Sequence, residues 1–288
     1  MKWIFIVNKV AGNGKHKKVI KNIEKYCFNK DVDFEVFYTR CPGEATAITL
    51  RYKKSKNIIF AVGGDGTLNE VLNGIVHTKN ILAVVPTGSG NDFYKTLKML
   101  PDGILKCDVG KVNELYFLNT VCFGIDADVA NNIDIMKIKG INTNKLYIAS
   151  LINTFLKYNC KKMTFNLNNT EVSGEFTTLA VCNGKFYGNG FKVAPNAMID
   201  DGFFDFYFAD KMSKLKMFNL IIKLKSGTHD ISPLVHRRLV SQLKVKTKKN
   251  IISNVDGEKY VNKEFNFKIC KKLIHVYNNK KLIEEFIK

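Results

Sequence analysis

The sequence predicts two halves of different character: a Rossmann-like, three-layer α/β unit followed by an antiparallel β unit of sandwich or barrel type. Three observations carry this. Ile- and Val-rich runs of strand length alternate with amphipathic stretches through the first 115 residues, the pattern of a parallel sheet covered on both faces. Beyond residue 118, strand signals with period-two alternation dominate, and only two helical stretches interrupt them. The chain has 288 residues, 45% of them hydrophobic, enough for one large or two moderate cores.

Taken in order, residues 2–7 read as a strand, and 17–29 as a helix with Val19, Ile20, Ile23 and Tyr26 at helical spacing. A strand follows at 34–38, a weaker helix at 46–54, a buried strand at 58–62, a helix at 68–76 and another buried strand at 81–85. The second half offers strands at 163–167, 177–181, 203–208, 243–247, 265–269 and 274–277, with helices at 144–157 and 211–225. No internal repeat or low-complexity linker separates the halves. The boundary is a change of texture near residue 117, giving units 1–117 and 118–277.

Charge and cysteine usage narrow the classes. The formal net charge is +19, from 45 Lys and Arg against 26 Asp and Glu. Such a chain attracts nucleic acid, anionic membrane or phosphorylated small molecules. The excess is uneven: residues 211–288 hold 19 Lys and Arg against six Asp and Glu. No apolar run approaches the roughly 18 residues that span a bilayer. Seven cysteines, odd in number and without a C-x-x-C pair, fit small core hydrophobes in a reducing cytosol. Nucleic acid is disfavoured, because aromatic residues are not interleaved with the basic ones and no helix-turn-helix, zinc or RNA-recognition signature occurs. The five histidines show no metal-ligand spacing; His229 and His236 are at most minor site candidates. The 211–225 stretch is a basic amphipathic helix with Leu215, Phe218 and Ile222 on one face. Two readings stay open for it, a packed helix with a solvated cationic face or a helix lying on anionic membrane.

The residues that carry chemistry follow strands. Strand 58–62 runs into Gly63-Gly64-Asp65-Gly66-Thr67-Leu68-Asn69-Glu70, where glycines permit a sharp turn and close approach of N–H groups to an anion at a helix N-terminus. Phosphate is the natural guest, at the carboxyl edge of a parallel sheet. An acid such as Asp65 beside phosphate makes sense if it holds Mg²⁺ or positions the reacting groups. Strand 81–85 runs into Pro86-Thr87-Gly88-Ser89-Gly90-Asn91-Asp92-Phe93, and strand 2–7 into Asn8-Lys9-Val10-Ala11-Gly12-Asn13-Gly14-Lys15. Neither G-x-x-x-x-G-K-[ST] nor G-x-G-x-x-G is present, which excludes an ordinary P-loop or dinucleotide-binding domain.

The loops Gly63 to Glu70 and Pro86 to Phe93 resemble the catalytic region of the diacylglycerol kinase family, especially the soluble bacterial lipid kinases. The resemblance runs nearly the whole chain: Asp108-Val109-Gly110, Asn119 with Gly124-Ile125-Asp126-Ala127, Asn183-Gly184 with Gly188-Asn189-Gly190, Ala194-Pro195 with Asp200-Asp201-Gly202, and Asp256-Gly257-Glu258 follow in the family's order. It implies an ATP- and Mg²⁺-dependent kinase acting on a lipid hydroxyl, with an ATP-binding α/β unit to which the tail 278–288 returns. The second unit would be a β-sandwich of the kind shared with NAD kinases. By resemblance, ATP contacts fall on Asn8 to Gly12, Thr39, Gly64, Asp65, Gly66, Thr67, Leu68, Asn69, Glu70 and Ser89, with Asn91 and Asp92 in the same loop. Mg²⁺ would fall on Asp201 with the carbonyls of Met198 and Phe203. Glu258 would accept the proton, near Asp256, and Asp65 would work at the transferring phosphate.

The first loop departs from the family's Asn-Pro-x-Ser-Gly: Lys9 stands at the proline position and Ala11 at the serine, so a hydroxyl contact to phosphate is missing. Asp256-Gly257 is also a common hairpin dipeptide. Diacylglycerol is the expected acceptor, with sphingoid base, ceramide or phosphatidylglycerol as alternatives. An NAD kinase is a rival because it shares the Gly-Gly-Asp-Gly-Thr loop, but its pattern continues Thr-Ala-Tyr where this chain has Asn91-Asp92-Phe93. A non-catalytic nucleotide- or lipid-binding regulator is a rival of another class, against which stand Asp65, Asp201, Asp256 and Glu258. The expected setting is cytoplasmic and peripheral to an anionic membrane surface, with homodimer formation left open.

Overall fold

The structure, a computed structural model, describes residues 1–9, 16–125, 127–128, 154–167 and 170–288. The first half supplies β1 (Trp3–Asn8), α1 (His16–Asn29), β2 (Phe34–Thr39), α2 (Glu44–Arg51), β3 (Ile58–Gly63), α3 (Asp65–Ile75), β4 (Ile81–Pro86) and α4 (Asp92–Lys98). These strands run parallel in the order β4-β3-β1-β2. Every residue of β3 is buried, which is why its sequence shows no alternation. α1 presents Val19, Ile20, Ile23 and Cys27 to the core, the stripe its spacing predicts.

The second half continues the same sheet through β5 (Gly103–Val112), β6 (Leu115–Phe117), β7 (Thr120–Gly124), β8 (Lys161–Leu167), β9 (Thr170–Cys182), β10 (Phe204–Asp210), α5 (Lys214–Ser226), β11 (Val235–Val240), β12 (Gln242–Val255), β13 (Glu258–Asn278) and α6 (Lys280–Ile287). The main path reads β11-β10-β9-β7-β12-β13-β4-β3-β1-β2, with β5, β6 and β8 branching from it. The pairings among β7 to β13 are antiparallel, and β13 then meets β4 in parallel at His275 and Val276. The long β13 therefore joins the two halves.

Two principal cores fill the halves. The first centres on Phe5, Phe60 and Phe286, with Phe5 and Phe60 stacked at 4.5 Å and Phe286 edge-on to Phe5 at 6.0 Å. Phe286 lies on α6, so the chain end packs on α1 and the parallel sheet, held also by Asn22 Nδ2 donating to the Phe286 carbonyl. The second core gathers Phe117, Phe123, Phe165, Phe204, Phe206, Phe265 and Phe267.

Several elements differ from the sequence expectation. The strands expected at 265–269 and 274–277 are one strand, β13, with a bulge between Cys270 and Ile274 where Lys272 takes φ 49°. The bulge interrupts the alternation that marks a strand. β5, β6, β7 and β11 were not expected. β5 buries Asp108 and Gly110 in its interior, residue types that weaken a strand signal, and the end of the Phe117 ring occupies the space a side chain at 110 would need. The first ten residues of the helix expected at 144–157 lie outside the described residues, and 154–157 are helical. The 211–225 helix forms as α5, but its buried residues are Met217 and Leu220 while Leu215, Phe218 and Ile222 face outward.

Candidate active site

Strand register sets the site. Asn8 pairs with Thr39, Val7 with Val62, and Gly63 with Pro86, so four strands end at one edge. Asn8 Nδ2 donates to Thr67 Oγ1 at 3.2 Å, and Thr39 Oγ1 to the Val7 carbonyl at 3.4 Å. The loops after β3 and β4 are in van der Waals contact, because Thr87 N and Gly88 N both donate to the Gly63 carbonyl, at 3.0 and 3.2 Å. A methyl group added at Gly88 would lie 2.5 Å from Gly64 Cα, and one at Gly63 would strike the Thr67 side chain. Glycine is required here for close approach rather than for unusual dihedrals. Asn91 closes the second loop from the left-handed region, φ 53°, donating its amide to the Gly88 carbonyl at 2.7 Å. Ser89 is exposed at the crest, and the Thr87 hydroxyl is buried beneath with no hydrogen-bond partner. Leu68 is a core residue whose N–H closes the first turn of α3 on the Gly64 carbonyl. The earlier N–H groups of that turn have no acceptor within the helix, which suits an anion.

Four acids sort by what holds them. Asp65 begins α3, and its Oδ1 accepts from Asp92 N at 2.8 Å. Burial first, then the charge of Asp92, pushes its carboxyl up to about 6. Asp92 accepts from Lys95 Nζ at 2.9 Å and from Asn189 N at 3.0 Å, tying the second loop to the second half of the chain. Asp256 is buried and receives Leu118 N, Asn119 N and Thr120 N at 2.6, 2.8 and 2.9 Å, with Asn69 Nδ2 at 3.3 Å. Burial raises its carboxyl, and these donors oppose the rise. Both of its oxygens are occupied by these donors. Asp256 (φ 48°) and Gly257 (φ 102°) form the two-residue hairpin between β12 and β13, so the turn reading and the site reading describe the same residues. The turn delivers Glu258, exposed, to the glycine loop after β3: a methyl group at Gly66 would lie 2.9 Å from Glu258 Oε1.

Asn69 and Glu70 act as braces. Asn69 reaches Tyr116 O as well as Asp256, and Glu70 Oε2 accepts Ala45 N at the start of α2. Gly12 lies outside the described residues. Lys9 lies over the Tyr38 ring at 4.4 Å, and with Tyr38, Arg40, Glu44 and Arg51 it lines a cavity of about 380 Å³ beside the strand ends. Arg40 and Arg51 were not singled out from sequence; Arg40 follows Thr39 directly, and that adjacency was the available signal. His236 bonds Asp210 at 2.8 Å, and His229 is buried against Tyr207. Neither is among the groups that meet at Gly66.

Asp201 stands apart on the turn before β10. Its Oδ1 accepts Phe203 N at 3.0 Å, and Met198 and Phe203 are exposed. Burial first, then the charges of Asp108 and Asp200, raises the Asp201 carboxyl. Asp108, fully buried, accepts Gly202 N and Lys272 N, both at 2.6 Å, and so fixes this turn on the β13 bulge. Among the described residues no three His, Cys, Asp or Glu side chains form a metal cluster. A carboxylate with backbone carbonyls still suits a hard ion such as Mg²⁺.

Comparison with known proteins agrees with this architecture. Residues 2–114 match the family described as diacylglycerol kinase catalytic domain, and residues 119–278, more than half of the chain, match the YegS C-terminal NAD kinase beta sandwich-like domain. A diacylglycerol kinase of Staphylococcus saprophyticus is 25% identical over 97% of this chain and 98% of its own. The Bacillus subtilis protein YtlR, a candidate lipid kinase, is 27% identical over 89% of this chain and 93% of its own. A solved structure of a candidate diacylglycerol kinase from Bacillus anthracis strain Sterne superposes with TM-score 0.77 at 22% identity, covering 97% of this chain and 96% of that one, and so shares the fold.

Proposed function

The chain belongs to the diacylglycerol kinase-like, YegS-type lipid kinases, and we propose that it transfers the γ-phosphoryl group of ATP to the hydroxyl of diacylglycerol, giving phosphatidic acid and ADP. The observation that supports this most is the meeting of Glu258 with Gly66, which sets a carboxylate from β13 beside the first turn of α3. A lipid alcohol is a weak nucleophile. Glu258 takes its proton as the new P–O bond forms and the bond to the bridging oxygen of ADP breaks. The N–H groups of α3 and of the two glycine loops stabilise charge on the transferring group. Mg²⁺ near Asp65 would neutralise phosphate charge, and Asp201 with the carbonyls of Met198 and Phe203 would hold a separate, structural Mg²⁺. Asp92 and Asp256 keep Asp65 and Glu258 in place through the bonds described above.

In this reading residues 1–117 with the tail 278–288 bind ATP, and 118–277 carry the acceptor side. The enzyme works at the cytoplasmic face of an anionic membrane, where its acceptor resides. Incubation with Mg²⁺, γ-labelled ATP and separate diacylglycerol, sphingosine, ceramide, phosphatidylglycerol and NAD tests it. Label is expected in phosphatidic acid first; label in NADP alone rejects the reading.

A further inference from the structure

Among the described residues, the packing of the fold does not explain the outward side of α5. Leu215 is 81% exposed, and Phe218 and Ile222 are each 56% exposed, although the helix has Met217 and Leu220 to bury. Positions 215, 218 and 222 recur at i, i+3 and i+7, one stripe of a helix. Phe155, on the preceding described helical segment, meets Phe218 edge-on at 6.4 Å, and its neighbour Leu156 is 64% exposed. A contiguous apolar surface of this kind marks a contact site. Its charge names the partner. α5 carries Lys214, Lys216, Lys223 and Lys225 and no acid. Lysines beside an apolar stripe fit anionic headgroups over acyl chains, where their stems extend toward the interface. Placement fits as well: Asp92 at the glycine loops bonds Asn189 N at 3.0 Å, and Lys192 N, three residues on, bonds the Leu224 carbonyl of α5 at 3.0 Å. Three residues span at most about 11 Å, so the end of α5 is within roughly 17 Å of Asp92.

We propose that this face of α5, with Leu215, Phe218 and Ile222 inserted and Lys216, Lys223 and Lys225 on the headgroups, docks the enzyme on an anionic bilayer beside its cleft. The inference rests on the lipid-kinase reading for its purpose, but vesicle binding tests it without catalysis. Sedimentation with phosphatidylcholine vesicles, with and without phosphatidylglycerol, is the measurement. The wild-type chain is expected to prefer anionic vesicles. A Leu215→Ser, Phe218→Ser, Ile222→Ser variant is expected to lose at least about tenfold in binding, which is about 1.4 kcal/mol. Its turnover of vesicular diacylglycerol falls in parallel, while turnover of monomeric short-chain diacylglycerol is unchanged. A Lys216→Glu, Lys223→Glu, Lys225→Glu variant loses the preference for phosphatidylglycerol. Unchanged vesicle binding by the serine variant overturns the proposal. So does equal wild-type binding to neutral and anionic vesicles, or a serine variant that only dissolves a dimer, which would make a second copy the occupant. Absent kinase activity with vesicle binding as expected would reject the proposed function and leave the docking face standing.

Discussion

At the level of single residues, the acids of the site differ in burial and in the groups that hold them. Asp65 is held above its ordinary range, at about 6, so its ionised form costs folding free energy. For an acid raised in the folded state that cost is absent below the unfolded value near 4 and complete above about 6. Asp65→Asn is therefore expected to stabilise the Mg²⁺-free protein at pH 8 by about 2 kcal/mol, with no gain at pH 3.5, while kinase activity falls steeply. Denaturant unfolding at the two pH values checks it. Asp256 behaves differently. Asp256→Ala strips an acceptor from three buried backbone N–H groups and is expected to destabilise by about 3 kcal/mol, with activity lost alongside. A variant of unchanged stability and lost activity would instead give Asp256 a direct part in the chemistry. The motif residues could be read as short strings, but the division of labour among them could not, because it depends on Leu118, Asn119 and Thr120, which are distant in sequence and donate only backbone N–H groups.

Elements were legible where one periodicity held. β1, β3, β4 and α1 stood out because buried strands show unbroken apolar runs and α1 has a single stripe. β5 and the bulge of β13 did not, since a buried Asp108 and the Lys271-Lys272 pair break the alternation. α5 shows a different limit. Its apolar stripe was visible, but sequence cannot tell which stripe faces the core when a helix carries two, and Met217 and Leu220 won that place. α6 matters to the first core through Phe286, which is fully buried against Phe5, Tyr26 and Phe60. Phe286→Ala is expected to cost about 3 to 5 kcal/mol in urea unfolding. A loss below 1 kcal/mol would show that the tail is dispensable to the core. Gly88→Ala should act on the loop alone: the added methyl group meets Gly64 Cα, so KM for ATP rises about tenfold or more with little change in unfolding midpoint.

For the whole molecule, the positive charge acquires a location. The +19 reads in the sequence as an undirected attraction for anions. In the proposed function the glycine loops hold phosphate mainly through backbone N–H groups, which contribute nothing to that total, and the lysines of α5 border an exposed apolar stripe. Among the described residues no helix is long and apolar enough to cross a membrane. Whole-chain topology explains why the reacting groups meet. β13 starts at Glu258 in the second half and ends beside β4 in the first, so one strand carries the proposed proton acceptor and joins both halves. In the proposed reaction Glu258 accepts the proton of a lipid hydroxyl at the Gly66 loop. Glu258→Gln keeps the shape and removes the base. Turnover of diacylglycerol is expected to fall by about a hundredfold or more, with ATP affinity by calorimetry nearly unchanged. A Gln variant that retains turnover would contradict the account.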